Sequence, residues 1–509
     1  MRLRVTVKQQ QRRPAPTAPH ANDGFAGIDE REIEVFKHGD SIIAEPGRAV
    51  TPGLGIFYVA MVSTAAGFSV RNLPSMAVEG WSLIFWYVLG TLLFLLPLAL
   101  TAAELASTWP KAGGVYAWVR EAFGEPTGFM AVWSIVVQNL PWYPTVLAFV
   151  AVSLAYGFEP AWQDNRIFVA CVMIVIFWAI TLASLAGPAA AAKLATFGTV
   201  LGTVVPAVVL IGAGIAWIVA GKHVALPPFS PAHLFPSWDL GRLPFVSSLL
   251  LAFTGIEVSG YYALVVRDPQ RNYPKAMALA LVAISGLSIF ATLAIALAIP
   301  AEKISLSGGV VQTFTVIFGA FGIRWLAPVL ALLTAVGAIA LMCAWLVGPL
   351  LSLTEVARNG LLPPVFRALS ARQVPAAVML WQAVLITIIS VAFQLLPSVN
   401  QAYWILTATT TALLGFYYLP IFAAVIKLRY TQSGVPRPFR IPGGMPGVWL
   451  VGSVGLISTA FAVGISLERP SNVTSVSDAV YVGAMIVLAL VWMVPWAISL
   501  AVRKTSWRA

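Results

Sequence analysis

Charge is scarce in this sequence. Asp, Glu, Lys and Arg together make up 10% of the 509 residues, against about a quarter in an ordinary soluble domain. That shortage excludes a chain built mainly of soluble globular domains. Cysteine is nearly absent too. Cys171 and Cys343 both fall inside long apolar runs, so free buried thiols are expected and a disulfide framework is excluded. The four histidines, His20, His38, His223 and His233, lack paired metal-ligand spacing. Neither a Gly-Lys-Ser/Thr phosphate loop nor a Gly-x-Ser-x-Gly elbow occurs. No enzyme activity, catalytic residue, metal or cofactor is therefore expected, and ATP-driven pumping is not either. The first 50 residues are polar and basic, carry Pro14, Pro16 and Pro19, and lack the apolar core of a signal peptide. They read as a largely disordered tail over 1–50.

Long apolar runs are what the chain has instead. Apolar residues make up 59% of it and its mean hydropathy is +0.85. A helix needs about 20 apolar residues to cross a bilayer core. Twelve such runs follow one another, near 54–76, 81–106, 127–156, 166–186, 194–220, 243–265, 276–299, 325–356, 376–396, 400–427, 447–467 and 478–502. The chain is thus expected to be an all-α polytopic membrane protein with about 12 transmembrane helices, here called spans one to twelve. Most of its 31 Lys and Arg fall in the segments on one side, so both termini are expected to be cytoplasmic, including a short tail at 504–509. The net charge of +11 follows this bias. An anionic inner leaflet accounts for it, so the partner read from it is the lipid bilayer and not nucleic acid.

Two spans are interrupted. Span one carries Ser63-Thr64-Ala65-Ala66-Gly67-Phe68-Ser69-Val70-Arg71-Asn72. Span six carries Phe253-Thr254-Gly255-Ile256-Glu257-Val258-Ser259-Gly260. Unsatisfied backbone is tolerated at membrane depth only where protein or a cavity covers it. The two spans occupy matching positions if the first ten form two five-span repeats of opposite orientation, and such paired breaks point to a transport site. Small residues also serve close helix packing, but here each break holds an ionisable residue. Arg71 has two readings: it holds a substrate carboxylate with its planar donor fork, or it snorkels or pairs with a structural acid. Glu257 either couples movement to protons or gates the pathway, or else it bonds the loosened backbone. The span-three stretch Gln138-Asn139-Leu140-Pro141-Trp142-Tyr143-Pro144 is a candidate to line the route, or its prolines simply kink the helix. Tyr403, Thr407 and Thr411, at helical spacing in span ten, are candidates too. Glu104 and Glu355 sit near span ends, where stabilising a neighbouring loop is the commoner role.

A series of motifs resembles one family. It includes Ala102-Ala103-Glu104-Leu105-Ala106, Gly113-Gly114-Val115-Tyr116-Ala117-Trp118, Gly255-Ile256-Glu257-Val258-Ser259, Arg271-Asn272-Tyr273-Pro274-Lys275, Ala344-Trp345-Leu346-Val347-Gly348-Pro349 and Ile441-Pro442-Gly443-Gly444. In this order they resemble the amino acid–polyamine–organocation (APC) transporters, and within them the glutamate/GABA antiporter branch. The resemblance implies a LeuT-like five-plus-five inverted repeat followed by two C-terminal helices, with helices one and six broken. The implied limits are 51–503 for the membrane domain, about 51–221 and 243–430 for the repeats, and about 446–503 for the last pair. It also implies alternating access. Ala65, Ala66, Gly67 and Phe68 would meet the carboxylate of an amino acid through backbone N–H groups. The Phe253, Thr254, Gly255, Ile256 and Glu257 stretch would meet its amine through carbonyls. Specificity would fall to spans three, eight and ten. The chain departs from the pattern in keeping only Gly67 in the first break. It also has Leu341 where such antiporters carry an acid, and no long segment after span twelve. The implied function is an amino acid exchanger of the cytoplasmic membrane. A proton-coupled symporter for an amino acid or amine on the same fold stays open, as does a non-transporting amino acid sensor.

Overall fold

The computed structural model describes residues 55–110, 113–236, 249–250, 252–306, 308–394, 399–469 and 477–502. The chain divides into Met1–Thr51 and Pro52–Ala509. The described residues belong to the second unit, and the expected tails at 1–50 and 504–509 lie outside them.

Among the described residues, ten helices are long and apolar enough to cross a membrane. They coincide with the expected spans one to five, seven, eight, ten, eleven and twelve. Span nine is the shorter helix Ala376–Phe393, of 18 residues. At about 1.5 Å per residue it reaches about 27 Å, just under the roughly 30 Å of a bilayer core. The first part of span six lies outside the described residues. Its second part is a 3-10 helix over Ile256–Val265.

Span three, Glu125–Phe158, is the central pillar. It stays one helix through Pro141 and Pro144, and 94% of its apolar window is buried. Span eight, Leu326–Arg358, and span ten, Val399–Thr431, pack along it. Span twelve, Asp478–Ala501, is the opposite case, with 11% of its window buried, as expected of a helix whose flanks face lipid. Two indole donors hold it to span three: Trp133 Nε1 to Trp492 O at 2.8 Å and Trp496 Nε1 to Pro126 O at 3.2 Å. Span four is only 33% buried over its window, and its outer flank corrects one expectation. Cys171 is exposed there, whereas Cys343 is a buried free thiol as expected.

Spans two and five each contain a widened π-turn, at Thr91–Leu95 and Val200–Val204. Such turns leave the regular ladder and often mark functional positions. Ser458 of span eleven donates to Leu93 O inside the first of them at 2.8 Å.

Candidate functional site

Span one is helical from Ile56 to Gly67. Phe68 and Ser69 are then extended, with φ −131° and −139°. A 3-10 turn covers Val70–Asn72, and a helix resumes at Leu73–Ala77 with Pro74 in its first turn. The break therefore falls later than the Ala65–Phe68 stretch expected from sequence. Alanine is the best helix former, and at Gly67 an added Cβ would sit 2.8 Å from Ile284 Cδ1, so the helix runs on against span seven. Its last carbonyls face the break, and the N–H groups opening the next segment begin after Ser69.

Span six breaks at Phe253–Gly255. Gly255 has φ +113°, a conformation open in practice to glycine alone. A Cβ there would stand 2.5 Å from Ala66 O and 3.1 Å from Trp345 Cζ2, so the two breaks touch. Glu257, 1% exposed, staples its own break. Its Oε2 accepts Gly255 N–H at 3.1 Å and its Oε1 accepts the Tyr418 hydroxyl of span ten at 2.9 Å. Two residues on, Ser259 Oγ accepts from Ser63 and from Tyr273, both at 2.8 Å, and donates to Ile256 O at 3.2 Å. Spans one, six and seven are clasped at that oxygen.

Arg71 is 2% exposed, so it does not snorkel. Its Nη1 donates to Thr145 Oγ1 at 2.9 Å, and that hydroxyl donates to Trp142 O at 2.7 Å. Arg71, Ser69, Asn72 and Ala66 of span one line a cavity with Ala252 and Thr254 of span six. Gln138, Asn139 and Trp142 of span three, Leu341 and Trp345 of span eight, and Leu414 of span ten complete it. The Gln138 amide donates to Asn139 Oδ1, Asn139 Nδ2 donates to Trp345 O at 3.4 Å, and the Trp142 and Trp345 rings lie 5.9 Å apart. Among the described residues Arg71 is the one charged residue of this lining. The space is about 20 Å³, enough for a water and too small for an amino acid.

Of the residues singled out from sequence, Ala66, Arg71, Thr254, Gln138, Asn139 and Trp142 come together here, whereas Leu140, Pro141, Tyr143 and Pro144 of the same span-three stretch do not line the cavity. Ala65 lines an adjoining cavity with Ala66. Phe68, Phe253, Ile256 and Glu257 are buried beside the site without lining it. Thr411 lies with Thr254 around a smaller void. Thr407 is buried away from the cavity, and the side chain of Tyr403 lies outside the described residues.

A family model described as amino acid permease matches residues 54–495. The chain belongs to the amino acid permease family. An uncharacterized transporter of Legionella pneumophila is 36% identical over 422 residues, which cover 82% of this chain and 90% of that protein. A glutamate/gamma-aminobutyrate antiporter of Lactococcus lactis is 30% identical over 430 residues, 82% of this chain and 84% of that protein. The solved structure of the Eremococcus coleocola manganese transporter superposes with a TM-score of 0.55 at 12% identity, covering 88% of this chain and 93% of that one. The permease thus has the LeuT-like architecture, with spans one and six broken.

Away from the cavity, the permease carries a buried ionic cluster on the face where span one starts. Glu104, 1% exposed, at the end of span two, takes a two-pronged contact from Arg429 of span ten. The distances are 2.6 Å from Nε to Oε1 and 2.7 Å from Nη2 to Oε2. Glu104 Oε2 also accepts Ile441 N–H at 2.8 Å, and Arg437 Nε lies 3.4 Å from Oε1. Burial pushes the Arg437 guanidinium below its usual range, and the Glu104 carboxylate opposes that shift. Glu104 therefore holds the segment before span eleven, the loop role expected of it. Glu355 accepts from Arg358 one turn on, at 2.9 Å. Within the site, Ser69, Asn72, Ala252, Trp345 and Leu414 were not named as site residues from sequence. Ser69 and Asn72 carried a signal, as polar residues flanking the break. Trp345 carried one too, inside the Ala344–Pro349 motif, whereas Ala252 and Leu414 carried none, since apolar residues in apolar helices stand out from nothing.

Proposed function

We propose that this permease is a secondary active amino acid exchanger of the cytoplasmic membrane, with both termini cytoplasmic, working by alternating access. The observation that supports this most is the contact of two helix breaks around a small cavity beside buried Arg71. An amino acid there places its carboxylate by Arg71 and the N–H groups after Ser69, where a helix start favours an anion. Its ammonium faces the carbonyl ends at Ala65–Gly67 and Phe253–Thr254, where a helix end favours a cation. The antiporter relatives favour exchange, with glutamate as the first substrate to try.

The test is uptake of labelled L-glutamate into proteoliposomes loaded with one unlabelled amino acid at a time. Uptake should require an internal amino acid. No uptake of glutamate or of neutral and cationic amino acids, from folded protein, would sink the proposal. Arg71→Lys keeps the charge and loses the fork. It should weaken an amino acid, whose carboxylate Arg71 is proposed to hold, at least about tenfold more than an amine that lacks a carboxylate, since a two-pronged contact becomes a point charge. Equal losses would mark Arg71 as structural.

The buried carboxyl of Glu257 at the break supports the symport reading as well. Glu257→Gln keeps the shape and still accepts from Tyr418, but gives up the acceptor for Gly255 N–H and cannot exchange a proton. If Glu257 carries the coupled proton, this variant loses the pH dependence of uptake and any drive by an inward proton gradient. An unchanged pH profile removes that role.

A further inference from the structure

Two cavities meet behind one wall of the site. The cavity beside Arg71 shares Ala66 and Leu341 with a second one of about 50 Å³. Ala66 contributes only a methyl group, so the Leu341 side chain, 5% exposed, is the partition. The second cavity is bounded by Met61 and Val62 of span one, Val200 of span five and Val258 of span six, and no charged residue lines it. Apart from the hydroxyl-bearing Tyr58, Thr196 and Thr199 its lining is apolar, a surface that favours apolar groups.

The space is built into the helix packing. A Cβ at Gly202 of span five would run into the backbone of Gly337 in span eight, and one at Gly198 would stand 2.5 Å from Ala340 Cβ. Spans five and eight are therefore pinned together within one turn of Leu341. Val200 opens the π-turn of span five, which displaces the helix where the cavity lies. The Tyr58 and Thr196 hydroxyls, 3.2 Å apart, tie span one across the cavity to span five.

We propose that Leu341 sets the side-chain selectivity of the transport site. It walls the polar cavity off from an apolar subsite, so the permease takes amino acids with short or polar side chains. Removing its isobutyl group admits a large apolar side chain such as that of leucine. This rests on the reading that an amino acid binds beside Arg71. A single methylene in such a pocket discriminates by about 10- to 200-fold, so the change is large enough to read.

The experiment compares the unaltered permease, Leu341→Ala and the milder Leu341→Val in exchange-loaded proteoliposomes, with leucine, alanine and glutamate outside. Leu341→Ala should raise leucine uptake relative to alanine by about tenfold or more, and Leu341→Val by less in the same direction. Equal acceleration of all three substrates would make Leu341 a gate and overturn the proposal. So would leucine uptake by the unaltered permease that already matches alanine. A second readout needs no turnover: leucine should raise the melting temperature of detergent-purified Leu341→Ala and not that of the unaltered permease. Such a shift without exchange would support the wall while sinking the exchange reading, and its absence would overturn the wall.

Discussion

Gly255→Ala is expected to lower transport by about 100-fold while leaving the protein in the membrane. The backbone at φ +113° is nearly closed to any residue with a Cβ, at a cost of about 1–3 kcal/mol. The new carbon also stands 2.5 Å from Ala66 O. Neither contact atom is a flexible side-chain end: one is backbone, and the other, on Trp345, is part of a rigid ring in the site's lining. Relief requires the two breaks to separate, which moves the carbonyls and N–H groups proposed to grip the substrate. About 3 kcal/mol corresponds to roughly 100-fold in rate. Gly286→Ala in span seven is the control, because a Cβ there meets nothing within 4 Å. Uptake by Gly255→Ala within a few-fold of the control would show that contact between the breaks is dispensable.

The second large effect lies at the ionic cluster. Glu104→Ala leaves Arg429 and Arg437 without the carboxylate they share and frees Ile441 N–H. Removing one partner of a buried pair costs about 3–5 kcal/mol, since the remaining charge stays desolvated. The variant should melt well below the unaltered permease in detergent. The double replacement Glu104→Met with Arg429→Met should recover part of the loss, because it removes the main stranded charge along with its partner. A melting temperature unchanged in Glu104→Ala would mean that the cluster holds nothing together.

Sequence reasoning went furthest where the controlling interaction is local. A run of about 20 apolar residues is a helix in a bilayer because no other backbone arrangement satisfies its own hydrogen bonds there, so most spans were legible within a few residues. The two breaks were legible for the same reason, since Ser69, Arg71, Gly255 and Glu257 are residues that a lipid-facing helix excludes. Burial was less legible: Cys171 and Cys343 sit in similar apolar runs, and only the packing around spans four and eight makes one exposed and the other buried.

Arg71 marks where local reasoning ended. Its cost in a membrane was evident from sequence, but whether it reached the surface or a cavity depended on Thr145, 74 positions away. Trp345 and Leu414 became part of the site only because spans eight and ten close on span three. Glu104 found Arg429 across 325 positions. The sequence by itself determined that this is a polytopic helical membrane protein, with breaks in spans one and six and charge biased to one side. Those features follow from hydrophobicity and backbone hydrogen bonding within single segments. The tertiary structure alone decided that the breaks touch, that Arg71 faces a small cavity and that Leu341 divides it from a largely apolar one. In each case the contacting side chains lie on different helices, and nothing along the chain encodes their distance.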